Sequence, residues 1–252
     1  VGHREACDAM TVTVGAGGVA VKSGMKRLCA AVMGYLSDNI RMSLAPRLYS
    51  VSLGVLRRVL QWLKATGRDS EGILDASSLS DVCLRVLTYI SKDLVYEAND
   101  GSGLLAADAA ECVNWLLAHG DAKIIKLRAS AQGMERVVSR EQLGRAFLCY
   151  EIARLAEQNV FAKLSGHAAA DAARGGDRAE AAARLASELA PLLAVSSHMA
   201  AAIDKWSRDN PRDLSPEPPA VLSVVSAALP TLPLAERPEL GEPPAARGGW
   251  AE

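Results

Sequence analysis

The chain has 252 residues, 50% hydrophobic and 23% charged, with a formal net charge of −1. Such a composition suits one or two globular domains with a sizeable core and excludes a uniformly basic protein built to follow phosphates. No apolar run reaches the roughly 18 residues of a membrane-spanning helix, and the most apolar late stretch is broken by Pro230 and Pro233.

Residues 1–23 read as a β-prone arm. Thr11–Val14 alternates threonine and valine, and Gly15, Gly17 and Ala20 then complete a G-x-G-x-x-A spacing. In a dinucleotide-binding fold these positions would make the tight turn, admit the pyrophosphate and let a helix pack on its strand. The stretch after Gly18 alternates like a second strand and is cut by Gly24, and no later segment offers parallel strands for it to join. A hairpin or flexible arm is therefore expected, with Gly15, Gly17 and Ala20 as a secondary candidate for cofactor binding; no cofactor is assigned.

From residue 24 to 208 apolar residues recur at three- and four-residue spacing, which predicts helices throughout. The first runs over 24–37. The second opens at Pro46, which suits a first helical position, and ends near Gly67. It carries a broad apolar face including Leu48, Val51 and Val55, and a basic stripe of Arg47, Arg57, Arg58, Lys64 and Arg68. Ser78 with Asp81 announces a helix through about 98. Ser102 opens a fourth, ending near Gly120, and Asp121 caps a short fifth. Ser139 and Gln142 form a capping box for a helix stopped near Gly166. A loose alanine-rich stretch follows, then helical residues from 178, where Pro191 predicts a kink or a division into 178–190 and 192–207.

Nine of the eleven prolines fall between Pro211 and Pro244, so residues 209–252 read as an extended tail with room for one short helix over 220–229. Its apolar residues, among them Leu222, Val225, Leu232 and Trp250, are candidate anchors on a partner.

The fold expected is all-α: an antiparallel helix stack over 24–208, HEAT- or armadillo-like or an irregular helical bundle, with the arm and tail at its ends. The pair 46–66 and 78–98 is similar to one HEAT-type unit, over about a fifth of the chain.

Charge is unevenly placed. Residues 1–68 hold ten basic against three acidic side chains, and 69–118 hold two against nine. The two blocks are expected to neutralise each other, while the stripe Arg47–Arg68 offers a surface to an acidic protein or, as the rival reading, to nucleic acid. Asp108 and Glu111, three apart on one helix face, read as solvated. The pairs His3–Cys7 and Cys112–His119 lack further ligands for zinc. Five cysteines without a C-x-x-C fit free thiols in a reducing compartment.

No nucleophile, phosphate-loop or metalloprotease signature occurs. The function expected is a non-catalytic scaffold or accessory subunit binding other protein subunits through helix faces and extensions, with a nucleic-acid-binding protein and a helical enzyme or cofactor binder as alternatives. An intracellular location is expected, and the start at Val1 keeps an imported organellar subunit among the expectations.

Overall fold

A computed structural model describes residues 24–40, 45–65, 73–74, 76–99, 101–119, 140–210 and 218–232. Among them the chain is helical: α1 (Gly24–Asn39), α2 (Pro46–Ala65), α3 (Ala76–Ile90), α4 (Asp93–Ala98), α5 (Ser102–His119), α6 (Arg140–Glu157), α7 (Val160–Arg174), α8 (Asp177–Asp209) and α9 (Pro218–Ala228), followed by a 3-10 turn over Leu229–Thr231.

The organising element is α5. Thirteen of its eighteen residues are buried, so most of its circumference is covered. Alanines at 106, 107, 109 and 110 are fully buried and let neighbouring helices come close. Helices from both sides of it in sequence, α2, α3 and α8, pack extensively against it. Pro46 lies beside Gly101 and Arg57 pairs with Glu111, so residue numbers rise together and α2 runs parallel to α5. The same holds for α8, where Ala181 faces Gly103, Arg184 faces Asp108 and Glu111, and Glu188 faces Asn114. The sequence reading had only antiparallel neighbours; intervening helices carry the chain back and leave α2, α5 and α8 aligned.

The core is aliphatic, as the two phenylalanines require: Phe161 is buried, while Phe147 is 38% exposed. Tyr49 is fully buried. Its phenol donates to the Leu36 carbonyl at 3.3 Å and so ties α1 to α2, and burial pushes it up to about 12.

Several helix limits differ from the sequence reading. The helix expected over 78–98 divides at Ser91 and Lys92, where Lys92 turns extended with ψ 127° and Asp93 begins α4. The helix expected to stop at Gly166 ends at Glu157, just ahead of Asn159, whose φ of 60° lies in the left-handed region that asparagine tolerates. The alanine-rich stretch taken as loose is helical through Arg174, as the high helix propensity of alanine favours. Gly175 and Gly176, with φ of 76° and 66°, then reverse the chain, so α7 and α8 form an antiparallel hairpin.

Pro191 does not divide α8, which is continuous over 33 residues. The missing N–H at 191 frees one carbonyl in the preceding turn. That carbonyl belongs to Ser187; Asn114 Nδ2, from α5, donates to the adjacent Glu188 carbonyl at 2.8 Å, and Leu189 and Leu192 stay buried on either side of the proline. Neighbouring helices thus hold the turn that sequence alone would break.

By length and composition α8 also satisfies the requirement for a membrane span, with an 18-residue window of mean hydropathy 1.2. The sequence reading had found no such run. Of that window 28% is buried inside the bundle, where α8 packs against α5, α6, α7 and α9.

Gly103 and Gly166 make opposite predictions. A Cβ at Gly103 would fall 2.8 Å from Tyr96 Oη, whereas at Gly166 it meets nothing within 4 Å. Gly103→Ala is expected to lower unfolding free energy by about 1–3 kcal/mol through overpacking, and Gly166→Ala to raise it by about 0.5–1 kcal/mol through helix propensity, both read from denaturant titrations.

Candidate functional site

Two polar clusters lie within the bundle. At the α2–α5–α8 junction, Arg57 and Arg184 converge on Glu111 Oε2. Arg184 Nη2 is 2.6 Å from that oxygen and 2.5 Å from Asp108 Oδ1. The side chains of Arg57, Asp108 and Glu111 are only 10–14% exposed. Two cations therefore meet two carboxylates, and the seam is balanced. Burial pushes the Asp108 carboxyl up, against the opposing pull of Arg184.

Sequence spacing had placed Asp108 and Glu111 on a solvated face, and Arg57 in an outward basic stripe. Both are corrected: these residues are spent on one another inside the bundle. The pairing links the basic and acidic blocks. Each carboxylate is held by a guanidinium.

The second cluster joins α4, α5 and α7. Tyr96 Oη donates to Asp171 Oδ2 at 2.9 Å, and Arg174 Nη1 donates to Asp171 Oδ1 at 3.0 Å. The His167 ring stacks on Tyr96 with centroids 4.2 Å apart, and its Nε2 lies 3.4 Å from Asp93 Oδ1. Burial and the bond to Asp171 push the Tyr96 phenol up, so it stays a donor. Tyr96 fills the space that Gly103 leaves, so the cluster clamps α4 to α7.

Nothing among the described residues gathers three or more metal-ligating side chains. Cys112, paired in sequence with His119, instead faces Cys83: the hydrogen bond between the two thiols, then burial, pushes Cys83 up. His119 tilts against Trp115 with centroids 5.2 Å apart. A groove of about 300 Å³ between α6 and α8 is lined by Ala153, Ala156, Ala200 and Ile203, with Glu157 and Asp204.

The surface with the clearest potential for recognition is the outer side of α2. Arg47 and Arg58 are exposed there, together with Val51 at 64% and Leu48 at 50% exposure. Gly54 and Val55 are half-buried between them. The helix contains no Asp or Glu. Around the axis, Arg47, Val51 and Arg58 fall within about 40° of one another, at 100° per residue.

Of the sequence candidates, this face keeps Arg47 and Arg58, and Arg57 turns inward. Lys64 lies in the last turn of α2; Arg68, Trp250, the loop Gly15, Gly17 and Ala20, and the pair His3–Cys7 lie outside the described residues. Leu222, Val225 and Leu232, read as anchors for a partner, are buried in this chain's own core, because α9 folds back onto α6 and α8. The sequence groups Leu48 and Val51 in the broad apolar face of this helix. Their place beside Arg47 and Arg58 is visible on a helical wheel, and the breadth of the apolar face concealed it.

No known protein family, curated protein or solved structure matches the chain.

Removing one member of the inner seam tests its role. Arg57→Met leaves Glu111 half-compensated and is expected to cost about 3–5 kcal/mol in urea unfolding. Arg184→Met removes the cation that opposes the upward shift of Asp108. A carboxyl raised in the folded state contributes stability fully below its ordinary value of about 4, and that contribution is lost as pH rises through the raised value. The variant should thus be weakest near neutral pH and recover part of its stability as pH falls toward about 4, read from urea midpoints across that range.

Proposed function

We propose that the chain is a non-catalytic scaffold or accessory subunit of a larger protein assembly, its helices stacked as a rigid body that presents faces to partners. The outer side of α2 carries this reading. A helix whose inner face supplies Leu53, Leu56 and Leu60 to the core also directs Leu48 and Val51 outward between two arginines. Water-facing apolar side chains framed by charge are characteristic of surfaces that bind other proteins.

The nucleic-acid alternative draws on the same arginines. It is the weaker reading, since Arg57 is engaged with Glu111 and aliphatic side chains occupy the interval between Arg47 and Arg58, where a phosphate track would need further cations.

Isolated gently from its native source, the chain is expected to elute in a complex of defined stoichiometry. Val51→Asp, a surface change worth within about 0.5 kcal/mol of fold stability, is expected to elute alone with an unchanged helical circular dichroism spectrum. Elution of the unaltered chain as a monomer overturns the proposal.

A further inference from the structure

The outer face of α2 also specifies what kind of partner fits it, an inference that rests on the scaffold reading above. Arg47 and Arg58 are eleven residues apart, about 16 Å along the axis. Val51 stands between them on the same line, with Leu48 and Val55 to one side and Gly54 to the other. Gly54, like Gly34 and Gly166, leaves open space at its helix surface. It lies in the interior of α2, where glycine costs helix stability relative to alanine, yet a Cβ there would meet nothing within 4 Å. The fold of this chain does not need the space. A second helix crossing α2 would, because a missing side chain lets two backbones approach closely.

We propose that the outer face of α2 docks an acidic amphipathic helix of a partner protein. Its apolar residues, at three- and four-residue spacing, cover Val51 and Leu48, its backbone passes over Gly54, and its carboxylates, about three turns apart, meet Arg47 and Arg58. Charge complementarity selects this occupant over the others. A second copy of the chain, crossing antiparallel on a two-fold axis, would set Arg47 against the same face's Arg58, and α2 has no carboxylate to offset the repulsion. A bilayer is disfavoured because the arginines lie in line with Val51 rather than on an opposite polar face, as in helices that rest in a membrane interface. Nucleic acid would leave Val51 and Leu48 against phosphates.

A photoreactive phenylalanine analogue in place of Val51, in the full-length chain and its native cells, identifies what covers the face. The expected adduct lies on a segment of another protein that is net negative and apolar at three- and four-residue spacing. Its yield is expected to fall about tenfold in the double variant Arg47→Glu, Arg58→Glu, as loss of two complementary charge pairs implies. Gly54→Leu is expected to abolish the adduct while melting no lower than the unaltered chain, a combination that a purely structural glycine does not produce. An adduct on a basic or extended protein segment, or on a second copy, overturns this inference and leaves the scaffold reading standing. An adduct on lipid or nucleic acid, or no adduct, overturns both.

Discussion

The fold depends on one carboxylate shared by two cations. Glu111 projects from the most enclosed helix of the bundle and receives Arg57 from α2 and Arg184 from α8. A charge so buried is costly unless its partners are close and well placed. The ion cluster therefore fixes the rotation and axial register of two helices on α5, which the surrounding leucines and alanines do not specify as sharply. Hydrophobic burial supplies the drive to collapse, and the seam selects which collapsed arrangement persists. Asn114 and Glu188 extend the same logic one turn further, where their contact also steadies the proline turn of α8.

The inner and outer faces of α2 illustrate how one helix divides its cations. Arg57 and Arg58 are adjacent in sequence and therefore about 100° apart around the axis. One enters the seam and the other faces water. A stripe of like charges in a sequence is thus two populations, separated by angle. The pairing of Arg57 with Glu111 cancels part of the charge asymmetry within the bundle, while Arg47 and Arg58 stay outside with aliphatic side chains between them.

The helical class was legible in the sequence because the apolar period is sustained over long stretches, and the positions of α1, α2, α5 and α8 follow from it closely. Where the reading failed, a local signal competed with a tertiary one. Pro191 is a helix breaker in isolation, but Leu189 and Leu192 beside it are buried in the core and the helix continues through it. Gly166 is a stop signal, yet alanines on its C-terminal side carry the helix on to Gly175, and Asn159 makes the actual break by adopting a left-handed conformation. The site was less legible than the fold. Asp108 and Glu111 look like surface residues because their guanidinium partners come from 54 and more residues away, beyond the reach of spacing arguments. Leu222 and Val225 look like free anchors because the sequence, though it offers a short helix over 220–229, does not show that this helix folds back onto α6 and α8.

That return has its own consequence. At 33 residues α8 is about 50 Å long, and α5, at 18 residues, about 27 Å. The distal part of α8 therefore overhangs the central helix and must find cover elsewhere. α9 provides it together with α6, and His198 on α8 reaches the Ala228 carbonyl and Thr231 hydroxyl at 3.3 and 3.2 Å. The cooperative unit therefore extends to Leu232, past the point at which the composition turns proline-rich. Truncation after Asn210 would remove a structural wall of the bundle and bare the oily flank of its longest rod.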